Sequence, residues 1–186
     1  MNLSPLRSAA LLVLALLALS CGMARADEFA SNLADEFANV GRLHAAGETA
    51  IAIGRAERHL AANPKDATMR FQLGVMLADS RRTAQAIDVF TQLSQDHPDL
   101  PEPYNNLAAL FASTGDYDKA RSALELALRN QPGYAAAHEN LGDIYIALAG
   151  RAYARVLELE PSNITVAPKL ALVRQLSQGR TGTAIR

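Results

Sequence analysis

The stretch YNNLAALFASTGDYDKARSALELALRNQP, running from Tyr104 to Pro132, reads as two amphipathic helices and the turn between them. Leu107, Ala108 and Phe111 fall at helical spacing in the first half, and Ala120, Leu124 and Ala127 in the second, so each helix presents one apolar stripe. Thr114-Gly115-Asp116-Tyr117 supplies a tight turn, and Pro132 stops the second helix because it lacks the N–H needed to continue.

Outward from this pair the pattern recurs. Pro64, Pro98 and Pro132 are each 34 residues apart, as are Leu73, Leu107 and Leu141. Leu77, Phe111 and Tyr145 keep the same phase, and so do the pairs Ala86 with Ala120 and Phe90 with Leu124. A period of this length in helix-forming sequence is the mark of stacked helix pairs. Gly74, Ala108 and Gly142 are read as the small residues that let the first helix of each pair approach the second.

Tyr104, Leu107, Ala108, Phe111, Ala120, Leu124, Ala127 and Pro132, with Leu73, Gly74, Leu77, Ala86, Phe90, Leu93 and Pro98 as another copy, resemble the tetratricopeptide repeat. The resemblance implies an all-α, right-handed superhelical solenoid of antiparallel helix pairs. Its expected parts are a degenerate repeat at 28–64, repeats at 67–98 and 101–132, a shortened repeat at 135–161 and a capping helix at 164–177. Residues 178–186 are expected to form a tail.

Two repeats depart from the pattern. In the first, Gly47 is in phase with Gly115, but Asn39 and Val40 stand where Leu-Gly is expected, and Ala52, Ala56 and His59 replace larger core residues. Phe29, Leu33, Phe37 and Val40 share one face, as a capping helix requires. In the last, Pro132 and Pro161 are 29 residues apart, five short of the period. The deficit removes the inter-helix turn, and the stripe Leu141, Tyr145, Leu148, Ala152, Val156, Leu159 runs through the gap. One helix from about Ala135 to Glu160 is therefore predicted, with Gly150 costing about 1 kcal/mol in its interior.

The N-terminus reads as an export signal covering residues 1–26. Arg7 precedes eleven small or aliphatic residues, Ala9 to Leu19, and Ala24-Arg25-Ala26 has the small-x-small pattern of a cleavage site. Cleavage there shifts the formal charge from −1 to −3 and removes Cys21, the one cysteine of the 186 residues. The rival reading is a lipoprotein anchored through Cys21, since Ala18-Leu19-Ser20-Cys21 loosely resembles a lipobox. The expected location is thus periplasmic or secreted, of an exported bacterial type.

Chemistry-bearing patterns are few. With 5% aromatic residues, no Trp and a near-neutral charge, nucleic acid is not an expected partner. His44, His59, His97 and His138 form no ligand-spaced set, so no metal is expected, and no catalytic residue or cofactor site is assigned. Glu139 and Asp143 lie one helical turn apart, a spacing open to paired acid–base work but commoner on a solvated face. Asn163-Ile164-Thr165 matches a glycosylation triplet, and Asn163 or Thr165 also suits the cap of the last helix.

The expected function is that of a non-enzymatic protein–protein scaffold or adaptor. The alternative is an accessory or regulatory subunit of an exported enzyme or assembly complex, or a lipoprotein-type outer-membrane assembly factor. From the family pattern, the concave groove that would hold a peptide or helix of another protein is assigned to Phe71, Val75, Asn105, Ala109, Glu139 and Asp143. It is apolar at one end and acidic at the other.

Overall fold

A computed structural model describes residues 35–178, all-α and arranged as eight helices packed in sequential antiparallel pairs. The expected signal segment, with Cys21, Phe29, Leu33 and residues 179–186, lies outside the described residues. The helices are α1 (35–45), α2 (Thr49–Ala62), α3 (Ala67–Asp79), α4 (Thr83–Asp96), α5 (Pro101–Ser113), α6 (Tyr117–Asn130), α7 (Ala135–Leu159) and α8 (Ala167–Gln178). The chain divides into two units, the first ending at Arg55 and the second beginning at Ala56.

In the first unit, Val40, Ala52 and Ile53 are buried, while Phe37 is exposed although it was read onto the same face as Val40. The Arg55 guanidinium grips the Glu36 carboxylate with two bonds of 2.8 and 2.7 Å, joining α1 to α2. Gly47 ends α1 with φ of +82°, a left-handed conformation that glycine adopts without steric penalty.

The second unit shows why the 34-residue pattern folds as it does. Leu73, Leu77, Ala86, Phe90 and Leu93 are buried between α3 and α4, and Leu107, Ala108, Ala120, Leu124 and Ala127 between α5 and α6. A Cβ on Gly74 would stand 2.7 Å from the ring of Phe90, so here the small residue does permit the close crossing. Gly115 takes φ of +79° at its turn, and Arg81, one period earlier, takes +57°. Asp66 caps α3 by accepting from the N–H of Met69, and Asp116 caps α6 by accepting from that of Lys119.

One tie repeats with the period although its residue type does not. Arg70, Tyr104 and His138 stand in the first turns of α3, α5 and α7, each six residues after a proline. Each donates to that proline's carbonyl: Arg70 Nη2 to Pro64 at 2.6 Å, Tyr104 Oη to Pro98 at 3.4 Å and His138 Nε2 to Pro132 at 2.9 Å. The carbonyl just past a helix end lacks an intrahelical partner, and the next helix contributes one; at Pro98 the shorter bond comes from Asn130 at 2.6 Å, and the Tyr104 hydroxyl lies nearer the Ser94 carbonyl, at 3.2 Å.

α7 is one unbroken helix of 25 residues. Arg151 fastens its middle to the α5–α6 turn, donating to the Gly115 carbonyl at 2.6 Å and lying 4.6 Å over the Tyr117 ring. Gly142 differs from the expectation placed on it. No heavy atom lies within 4 Å of a Cβ built there, because the shortened repeat has no second helix to cross. α8 instead packs beside Gly150, where Val173 would meet a Cβ at 3.2 Å, and buries Leu170. It starts at Ala167, three residues later than expected, because the Asn163 side chain accepts from the N–H groups of Thr165 and Val166 and holds 164–166 in a turn. Among the described residues no helix is long and apolar enough to cross a membrane.

Candidate functional site

The first helices of the pairs, α3, α5 and the start of α7, lie side by side in the second unit. They carry the six residues assigned to the groove. Phe71 and Val75 are half-buried on α3, Ala109 is half-buried on α5, and Glu139 and Asp143 on α7 are exposed and half-buried respectively.

Asn105 is placed differently from the rest. It is only 3% exposed, and its Oδ1 accepts a 2.9 Å bond from Asn140 Nδ2 on α7. The side chain thus joins α5 to α7, and a ligand would have to displace that bond to reach it.

Around Phe71 the face opens into a pocket of about 330 Å³ whose walls include Thr68, Phe71, Leu93, Leu100, Glu102 and Pro103. Phe71 is held there by an edge-on contact with the buried Phe90 ring, centroids 5.6 Å apart. Leu93 and Pro103 are buried, so the floor is rigid and apolar. Glu102, exposed in the first turn of α5, places one carboxylate at the rim. Partial burial, and after it the Glu102 carboxylate, push the Tyr134 phenol above its ordinary value and keep it uncharged. Sequence reading found Phe71 but not Thr68, Leu100 or Glu102, whose roles depend on where the α4–α5 link brings the chain.

The pocket and its surroundings offer an apolar recess beside fixed negative charge. The described residues contain no group of three His, Cys, Asp or Glu able to hold a metal ion. His59 Nε2 lies 2.8 Å from Asp66, in a pair that fastens α2 to the cap of α3 and lies outside the pocket.

Comparison with known proteins adds to this geometry. Models of the tetratricopeptide repeat match residues 42–101 and 77–140. A chloroplast protein of Arabidopsis thaliana, the tetratricopeptide repeat domain-containing protein PYG7, is 32% identical over 112 residues, which is 55% of this chain and 37% of that protein. The chain therefore spans little more than a third of that relative's length.

Among solved structures, MamA superposes with a TM-score of 0.57 at 20% identity, covering 76% of this chain and 86% of that one. The first TPR domain of human RPAP3 gives 0.59 at 16%, covering 63% and 92%. YrrB, a TPR protein with an unusual peptide-binding site, gives 0.53 at 22%, covering 56% and 54%. At these identities the structures bear on the fold alone. The matched repeats, the 34-residue period and the packed helix pairs agree that the chain is a tetratricopeptide repeat protein, a class whose domains typically mediate protein–protein interaction.

Proposed function

We propose that the chain is a non-catalytic adaptor that holds an extended peptide segment of another protein across α3, α5 and the start of α7. The observation that carries this reading is the apolar pocket at Phe71, rimmed by Glu102 and followed along the face by Glu139 and Asp143. An apolar side chain fills the pocket and supplies most of the affinity, since a buried apolar anchor outweighs partly exposed ion pairs worth about 0.2–1 kcal/mol each. A Lys or Arg further along the peptide meets the acids and governs association rate and salt sensitivity. The signal-like pattern of residues 1–26 favours the bacterial envelope as the place of work, and intact-mass analysis tests it: a species starting at Asp27 is expected, a diacylglyceryl mass on Cys21 supports the lipoprotein instead, and retention of Met1 refutes both.

The groove is tested with a peptide array of apolar–basic sequences, followed by titration calorimetry on the best binder. Thr68→Trp fills the pocket and is expected to weaken binding at least tenfold, while Glu102→Lys with Glu139→Lys is expected to slow association and flatten its salt dependence. Both changes lie on exposed positions, so helicity is expected to persist. Binding that is unchanged in both variants places the peptide elsewhere and overturns the proposal.

A further inference from the structure

The shortened repeat leaves a seat without an occupant and a helix without a seat. In the two preceding repeats the residues of the first helix that face its partner are covered more fully: Leu73 and Leu77 are 7% and 2% exposed, Leu107 and Ala108 are 6% and 1%, and Phe111 is half-buried. At the equivalent positions of α7, Leu141 is half-buried, Gly142 is exposed and Tyr145 is 50% exposed.

The second-helix signature survives on the same α7. Counting back from the terminating proline, Ala149, Tyr153 and Val156 before Pro161 match Ala120, Leu124 and Ala127 before Pro132. The three earlier residues are fully buried, whereas Ala149, Tyr153 and Val156 are each half-buried. With no turn near 149, this half of α7 cannot fold back on its own first half.

We propose that the chain forms a two-fold symmetric homodimer in which the second half of α7 from each copy takes the seat along Gly142 of the other. The register is self-consistent. In the closed repeat Gly74 receives the Phe90 ring, and the same positions here are Gly142 and Tyr153. Placing Gly142 of one copy opposite Tyr153 of the other in an antiparallel pair places Tyr153 of the first opposite Gly142 of the second, so one dyad near Ala147 and Leu148 satisfies both. Isologous pairing of this kind is the commonest closed assembly, and exchange of an element between copies follows when a hairpin turn is too short to close.

The size of the contact fits the same occupant. Arg151 lies on the opposite side of α7 from Gly142, where it holds the Gly115 carbonyl, so apolar contact carries the pairing. Two 25-residue helices in contact along about 37 Å bury on the order of 1,200 Å² with their flanks, which reaches the size of specific interfaces. The contact also covers Tyr145 and Leu159, two of the exposed large apolar side chains.

Sedimentation equilibrium on protein purified from cells expressing the complete chain tests the proposal, with a dimer expected at tens of micromolar. Gly142→Leu, harmless in a single copy because the position is open, is expected to raise the dimer dissociation constant at least tenfold with helicity retained. A double variant Gly142→Cys with Tyr153→Cys, in a Cys21→Ser background, is expected to cross-link as a dimer. Eleven residues of helix separate the two sites by about 16 Å, too far for a disulfide within one helix. Inserting Gly-Asp-Tyr-Asp-Lys after Leu148 restores the turn and is expected to give a monomer. A wild-type monomer at 100 µM overturns the proposal, as does a dimer that is indifferent to Gly142→Leu and does not cross-link.

Discussion

Alanine at Gly74 and at Gly142 is expected to change stability in opposite directions, although the two residues hold the same position in their repeats. At Gly74 the added methyl stands 2.7, 2.8 and 3.0 Å from three carbons of the Phe90 ring. That ring is fully buried and edge-packed on Phe71, so it has no free space to yield. Overpacking of this kind costs about 1–3 kcal/mol, against a helix-propensity gain of about 1 kcal/mol for replacing glycine. The net loss lies between about 0 and 2 kcal/mol, and its middle value of about 1 kcal/mol corresponds to a fall in Tm of about 2–4 °C for a domain of this size. At Gly142 no atom opposes the methyl, and only the propensity gain of about 1 kcal/mol remains, raising Tm by about 2–4 °C. The assay is far-UV circular dichroism during thermal and urea unfolding, at submicromolar chain so that association between copies does not contribute. Equal stabilisation by both substitutions would refute the close crossing at Gly74, and a loss at Gly142 under these dilute conditions would refute its open surroundings.

Further outcomes follow from the same geometry. Arg81→Gly relieves a left-handed residue at the position where Gly47 and Gly115 serve the other turns, and is expected to raise the urea midpoint by an amount equivalent to about 0.5–1 kcal/mol; a lower midpoint would exclude strain at this turn. Arg151→Pro is expected to cost about 3 kcal/mol or more by breaking α7, well beyond Arg151→Ala, which loses only the contacts to Gly115 and Tyr117; equal effects would mean that the helix is not continuous there. The Asp96 carboxyl is held below its usual range chiefly by its hydrogen bond from Arg70, and that of Asp116 by its bonds from Lys119. Because the folded values lie below the unfolded value of about 3.9, these carboxylates stabilise the fold above that pH and lose the contribution as pH falls through the folded values. The Tm gap between wild type and the double variant Asp96→Asn with Asp116→Asn is therefore expected at pH 7 and to close below about pH 4, whereas a constant gap would contradict the assignment.

The helices, their buried stripes and the glycine turns were legible because each rests on a residue type that physics restricts to a few places. Gly115 marks its turn because a positive φ penalises other residues, and Pro98 marks a helix end because it has no N–H to donate. The tie from each first helix to the preceding proline carbonyl was not legible. Arg70, Tyr104 and His138 share the task with three unlike side chains, and a reading by residue type finds no pattern in them. Arg81 was hidden for the converse reason, since arginine advertises no left-handed turn. Of the residues assigned to the groove, Phe71 was readable as a first-helix position from its place in the period, but the bond that engages Asn105 comes from Asn140, 35 residues away on another helix.

Gly142 joins these cases to the shortened repeat. A small residue in a helix is evidence of close packing only when a second helix lies opposite, and the sequence shows the residue without showing its neighbour. The five-residue deficit that lets α7 run unbroken also takes away the helix that Gly142 would have faced. The same deficit uncovers Leu141 and Tyr145 and leaves Ala149, Tyr153 and Val156 only half-buried. A missing turn would ordinarily be read as a local change in a loop. Here it separates two complementary surfaces along one rigid helix, at a distance that a single copy cannot close. A second copy, related by a two-fold axis, brings both surfaces together without altering any other part of the repeat.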